Sequence, residues 1–205
     1  MRKCFHSGFV ILIGLSMLGA GTLASAQTDV ALSLYGAFHG TTTGNGTIES
    51  PANSAGGIIE LRHISNPLVG YEATYSYNRG NETYKPDCSG TTCTALTPQT
   101  VKAAAHEVTA DWLVSVHAAN LRPFVLGGVG LLLNQPDSNQ ADTSSSTKGV
   151  FVYGAGLDWG LLPHLGLRFQ YRGNLYKAPD LTKLYTSTNR FTHTAQPMIG
   201  AYLRF

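Results

Sequence analysis

Leu165-Gly-Leu-Arg-Phe-Gln-Tyr-Arg-Gly-Asn-Leu-Tyr176 is the stretch that decides the fold. Leu165, Leu167, Phe169, Tyr171 and Leu175 fall on alternate positions, with Gly166, Arg168, Gln170, Arg172 and Asn174 between them. A helix would put Leu165 and Leu167 on nearly opposite sides, whereas a strand puts them on one face. The segment therefore reads as a strand with one apolar face and one charged face.

The same period recurs on both sides of it. Val69, Tyr71, Ala73, Tyr75 and Tyr77 oppose Glu72, Thr74, Ser76 and Asn78. Val108, Ala110, Trp112, Val114 and Val116 oppose Glu107, Thr109, Asp111, Ser115 and His117, with Leu113 out of pattern. Ile59 and Leu61 oppose Glu60 and Arg62; Phe151, Tyr153, Ala155, Leu157 and Trp159 oppose two glycines and Asp158. Val30, Leu32, Leu34 and Phe38 form a weaker first strand, and Gly200-Ala-Tyr-Leu-Arg-Phe205 an alternating last one. Phe124 to Leu133 is apolar on both faces, so its orientation stays open. At about half the length of a spanning helix, that run still has the length of a spanning strand.

Eight strands are thus predicted, at about 28–39, 56–65, 68–78, 102–117, 122–133, 149–160, 164–176 and 191–205. Their connections alternate in length. Asn66-Pro67, Ala119-Asn120 and Leu162-Pro163 mark tight turns, while 40–55, 79–101, 134–148 and 177–190 are long and rich in Ser, Thr, Asn, Gly and Pro. Three short turns and four long loops suit an all-β, eight-stranded antiparallel up-and-down transmembrane β-barrel, whose even strand number lets the sheet close and leave no edge. The soluble rival is a secreted cup with its apolar face inward. Tyr71, Tyr77, Trp112, Trp159, Phe169, Tyr176 and Phe205 argue against it, since they are expected on the apolar faces near strand ends, as interfacial girdles.

Met1 to Ala26 reads as a secretory signal peptide: Arg2 and Lys3, an apolar stretch from Phe9 to Leu18, and the small exit Ala24-Ser25-Ala26. The barrel domain is expected over residues 27–205, with no further domain behind it. Without Arg2 and Lys3, 12 Lys+Arg stand against 12 Asp+Glu, so no basic surplus is left for nucleic acid. Cys4 lacks the context of a lipoprotein anchor. Cys88 and Cys93 lie in a polar segment, and in an oxidising compartment they suggest a loop disulfide contributing about 2 kcal/mol. The alternative, a metal site, has no further ligands nearby in sequence.

The whole-chain rhythm, Tyr153-Gly-Ala-Gly-Leu-Asp-Trp159 with Leu162-Pro-His-Leu-Gly-Leu-Arg-Phe-Gln-Tyr171, and Gly200-Ala-Tyr-Leu-Arg-Phe205 carry a resemblance. The chain resembles the small eight-stranded outer-membrane barrels of Gram-negative bacteria: the transmembrane domain of outer membrane protein A and its opacity-type and virulence-related relatives. The resemblance implies a location in the outer membrane and contact with its lipids and lipopolysaccharide. It also implies that Gly200, Leu203 and Phe205 belong to a signal read by the barrel-assembly machinery. Met198 departs from that signal, which usually has a polar residue there.

The polar faces are expected to bring Glu60, Arg62, Glu72, Glu107, Asp111, Asp158, Arg168 and Arg172 into one lumen, with Arg204 nearby. Charges of both signs in a narrow interior should pair, either as a rigid plug or as a gated ion path. Small barrels that modify lipid A need a His, a Ser nucleophile and an acid at the rim. His193-Thr194-Ala195 lacks the nucleophile, and His39 and His106 are predicted to face differently. No enzyme activity, cofactor or metal is therefore expected. The function expected is a structural or surface-interaction role, adhesin-like, through four outer loops of a monomer. A narrow pore for small solutes is the alternative. Gly127-Gly-Val-Gly130 is no phosphate loop, since no Lys-Ser/Thr or helix follows it.

Overall fold

A computed structural model of the chain describes residues 27–66, 68–89 and 96–205; the expected signal peptide at 1–26 and Cys93 lie outside the described residues. Among the described residues ten strands form: β1 (Gln27–His39), β2 (Thr42–Gly44), β3 (Thr47–Pro51), β4 (Ser54–Ile64), β5 (Val69–Pro86), β6 (Gln99–Ser115), β7 (Leu121–Pro136), β8 (Ser146–Leu162), β9 (Leu165–Lys177) and β10 (Phe191–Arg204). Eight of them are the staves of a closed antiparallel barrel, β1-β4-β5-β6-β7-β8-β9-β10, with β10 pairing back onto β1 from Val30↔Leu203 to His39↔Thr194. Closure leaves every stave with two neighbours, so the backbone hydrogen-bonding groups are used within the ring rather than left facing hydrocarbon. Among the described residues no helix is long and apolar enough to cross a membrane.

Alternation places the apolar faces outward. Leu32, Leu34, Ile59, Leu61, Val108, Trp112, Val129 and Leu131 are each more than half exposed. Tyr71, Tyr77, Trp159, Phe169 and Phe205 also face outward. Tyr176 does not, and the sequence expectation for it is corrected. It shares the inward parity of Arg172 and Asn174, and its hydroxyl is hydrogen-bonded to Thr194 Oγ1 at 2.8 Å inside the lumen.

The open orientation of 122–133 is resolved as well. Val125, Val129 and Leu131 face outward; Phe124, Leu126 and Leu132 face inward. The inward residues pack with Ile64, Leu113, Val150, Val152 and Tyr176. One wall of the lumen is therefore apolar, which is why this stretch has no period in its sequence and why Leu113 broke the pattern on β6.

The long-connection end differs most from expectation. β5 runs on to Pro86 and β6 starts at Gln99, so the connection predicted at 79–101 shrinks to 87–98. Residues 79–86 carry no apolar face because a strand of 18 residues exceeds the roughly 9–11 needed to cross a membrane. The loop at 40–55 folds into the β2–β3 hairpin. Its turn, Asn45-Gly46, takes φ values of 52° and 74°, the left-handed pair that a two-residue hairpin turn of this twist requires. The hairpin adds to β5 from Thr47↔Pro86 to Pro51↔Glu82, extending the same sheet above the barrel.

Gly128 faces inward opposite Asp111; a Cβ there would overlap the Asp111 carboxylate and the Ala110 carbonyl. At outward-facing Gly127 a Cβ would meet only the Val152 carbonyl, at 3.9 Å. Gly128→Ala is therefore expected to lose the compact form that migrates anomalously in unboiled SDS gels, and Gly127→Ala to keep it. Equal gel shifts for the two variants would contradict this packing.

Candidate functional site

The staves bring the charged positions together because cross-strand neighbours on one level point the same way. Asp29, Arg62, Glu72 and Asp111 are successive partners on β1, β4, β5 and β6. Asp158 and Arg168 face each other across β8 and β9. All eight residues singled out in the sequence lie in the lumen, and Arg62, Arg168 and Arg172 have 0% side-chain exposure.

Glu72 is the node. Its carboxylate lies 2.7 Å from Arg62 Nη2, 3.6 Å from Arg168 Nη1 and 3.8 Å from Arg172 Nη1. Arg62 also donates through Nε to Glu72 at 2.7 Å and through Nη1 to Asp158 at 3.0 Å. Arg168 grips Asp158 in a bidentate fork of 2.7 and 3.1 Å, and its Nη1 is 3.5 Å from Glu60. Arg172 donates to Asp111 at 3.0 Å and to Thr109 Oγ1 at 3.1 Å. Neutral groups finish the coordination: Ser33 donates to Glu60, and Asn174 to Glu107. The Arg62 guanidinium lies 4.1 Å from the Phe124 ring centroid, which joins the apolar wall to the ionic layer.

Sequence reasoning missed Asp29, which is fully buried and 3.8 Å from both Arg168 and Arg204. The parity that sent Val30 outward implied it. It also missed Phe124, hidden in the run without period. The three histidines do not converge. His39 is hydrogen-bonded to Thr194, His106 to Tyr75 and His193 to Tyr153, the last two on the outer wall. Among the described residues no group of three His, Cys, Asp or Glu could hold a metal.

A second closure sits above the ionic layer. The 178–190 connection folds across the barrel end and buries Leu181 and Tyr185 against Tyr84, Val101 and Ala103. Tyr84 Oη donates to the Pro179 carbonyl at 3.0 Å and accepts from Leu181 N at 3.2 Å. The cap is tied to other loops by Ser144 N to Leu181 O (3.1 Å), by Asn45 Nδ2 to Ser187 O (2.8 Å) and by the Thr42–Thr188 hydroxyl pair. Glu49 of the hairpin is 1% exposed beneath this cap. Burial pushes its carboxyl up to about 8, with the Asp180 carboxylate adding to the effect and Lys148 opposing it. Cys88 lies exposed within the 87–98 connection.

Removing one partner of a buried ion pair leaves uncompensated charge and costs about 3–5 kcal/mol. Glu72→Gln is expected to lower the unfolding free energy of the barrel, read from urea titration, by that order. Arg62→Gln added to it should restore part of the loss, whereas additive losses would show that the two charges are uncoupled. For Glu49 the folded carboxyl holds its proton to higher pH than the unfolded one. Its contribution is therefore most favourable below the unfolded value near 4.5 and declines as pH rises towards 8. Amide-exchange protection at Leu181 and Ser144, corrected for intrinsic rates, should fall between pH 5 and 8.5, and Glu49→Gln should flatten that profile.

Residues 10–196 match the outer membrane protein beta-barrel domain family. Solved structures share the fold at low identity. Neisserial surface protein A aligns with a TM-score of 0.57 at 13% identity, covering 87% of this chain and 97% of that one. OprG from Pseudomonas aeruginosa gives 0.60 at 10%, covering 87% and 95%. Ail, the attachment invasion locus protein of Yersinia pestis, solved in complex with the heparin analogue sucrose octasulfate, gives 0.52 at 15%, covering 88% and 99%. A search of curated protein sequences returns no match. A closed ring of eight antiparallel staves, an apolar outer wall, a charged lumen and a family match over most of the chain lead to one assignment: the chain belongs to the outer membrane protein β-barrel domain family and resides in the Gram-negative outer membrane.

Proposed function

We propose that this protein is a plugged, non-enzymatic outer-membrane barrel that works as a surface-interaction protein, its long-connection face binding an anionic ligand. The observation that carries this reading is the segregation of charge. Among the described residues, the lumen and its mouth hold Arg62, Arg122, Arg168, Arg172 and Arg204. The seven other cations, Arg79, Lys85, Lys102, Lys148, Lys177, Lys183 and Arg190, all lie towards the long-connection end. Of the six carboxylates at that end, Glu49 is buried and largely protonated near neutrality, and Asp137 is paired with Arg79. Residues 27–205, formally neutral as a whole, thus present a cationic outer face. The sulfated ligand seen on Ail supports the same chemistry here.

The narrow-pore alternative finds less support, because Arg62, Arg168 and Arg172 with their carboxylates cross the lumen and the 178–190 cap covers it. The barrel is read as a monomer in contact with lipopolysaccharide, delivered by its signal peptide and displaying Leu203 and Phe205 outward to the assembly machinery. A Cys88–Cys93 bridge would clamp the 87–98 tip, which is the first candidate for ligand contact.

Binding of immobilised heparin to the full chain in detergent micelles tests the proposal. Trimming is confined to 87–98, because Tyr84 and Val101 belong to the cap core. Wild type is expected to be retained and released by salt, with Lys85→Glu/Lys102→Glu/Lys183→Glu eluting early while keeping its gel shift. Retention unchanged in the triple variant would refute a cationic outer face as the binding surface.

A further inference from the structure

The barrel end opposite the loops carries a site that the ionic plug does not explain. There the short connections leave a cavity of about 280 Å³ lined by His117, Asn120, Arg122, Leu162, Tyr202 and Arg204. A register irregularity between Gly160 and Leu162 falls at this level of the wall. Arg122 is only 8% exposed. Its Nη2 donates to Gln27 Oε1 at 2.7 Å and lies 3.4 Å from His117 Nδ1. Its Nη1 is buried without a hydrogen-bond partner, and no carboxylate among the described residues lies within ion-pair distance of it.

Arg204 contributes a second cation to the same cavity. Its Nη2 donates to Tyr202 Oη at 3.3 Å, while its Nε makes no hydrogen bond and stands 3.8 Å from Asp29. Asp158 is the one carboxylate lining the cavity among the described residues. It already accepts from Arg62 at 3.0 Å and from Arg168 at 2.7 and 3.1 Å. Asp158 is therefore committed inward, and the two guanidiniums line the mouth, each with one buried donor nitrogen that makes no hydrogen bond.

A guanidinium out of water without an anion is costly, and its planar fork matches a carboxylate or phosphate. We propose that this mouth, which opens to the periplasm, is an oxyanion-binding site. Arg122 is its principal ligand and Arg204 its second, and it takes the carboxylate or phosphate group of a small solute. The cavity admits such a group with a short substituent and excludes a polymer from the lumen, because the Arg62–Glu72–Asp158 layer lies directly behind it. The site is at the other end of the barrel from the proposed loop surface, so either reading can fail without the other.

The test uses the full chain folded in micelles and follows the side-chain Nε–H resonances of its arginines. Inorganic phosphate, acetate and sodium chloride are added in turn at constant ionic strength. Saturable shifts at Arg122 and Arg204, absent with chloride, are the expected result. Phosphate alone would assign phosphorylated solutes to the site, and acetate as well would admit carboxylates. Arg122→Gln should weaken binding by about tenfold, the loss of one charge-assisted pair, with His106→Gln on the outer wall as a control that leaves the shifts at Arg122 and Arg204 as in wild type. If Arg122→Gln does not fold, Arg122→Lys keeps the charge without the fork and is expected to bind more weakly than wild type. Shifts that never saturate, that follow chloride, or that persist at full affinity in the folded Arg122 variants would overturn the proposal.

Discussion

Everything inside the barrel depends on the Glu72 carboxylate being shared by three arginines. Eight staves enclose a lumen too narrow for bulk water, so any charge placed there must find its counter-charge within the wall. Arg62, Arg168 and Arg172 rise from β4 and β9, while their carboxylates come from β1, β4, β5, β6 and β8. The layer therefore ties together staves that are not neighbours in the ring. A hydrogen-bonded ladder fixes each stave only to the two beside it, and the ionic layer adds the bracing across the diameter.

The apolar wall formed by Phe124, Leu126, Val150 and Val152 completes that layer from the other side. It fills the volume where no charges are supplied, and Phe124 offers its ring face to Arg62. Large inward residues on β7 are accommodated because glycine stands at the neighbouring inward position, Gly128, opposite Asp111. The charged layer and the apolar wall thus divide the lumen between them.

The two ends of the barrel then differ in character. The outer end is sealed by a small hydrophobic core built from a loop, Leu181 and Tyr185 on Tyr84 and Val101, and it bears most of the cations not spent on the lumen. The opposite end is open and bears Arg122, which has no ion-pair partner among the described residues, and Arg204, which shares Asp29 with Arg168. Such an asymmetry follows from the connections. Long loops have enough chain to fold back over the rim, and tight turns do not.

Period-two alternation, the sorting of short and long connections, and the parity of each charged residue were sufficient to derive the closed barrel and the inward set Glu60, Arg62, Glu72, Glu107, Asp111, Asp158, Arg168 and Arg172. These are local properties, fixed by the pleat of a single strand. What the pleat does not encode is which residues meet across the lumen. The inward face of Tyr176 is already implied by the parity it shares with Arg172 and Asn174, whereas the sharing of Glu72 and the apolar wall that hid the orientation of β7 appear only once the ring closes. The cap behaves in the same way. Its polar, Thr-rich sequence carries no period, because Leu181 and Tyr185 are buried by contacts with β5 and β6 about 80–100 residues away in the chain. The sequence determined the wall of this protein, strand by strand. Tertiary structure alone decided what fills it and what closes it, because those contacts lie between staves that only the closure of the sheet brings face to face.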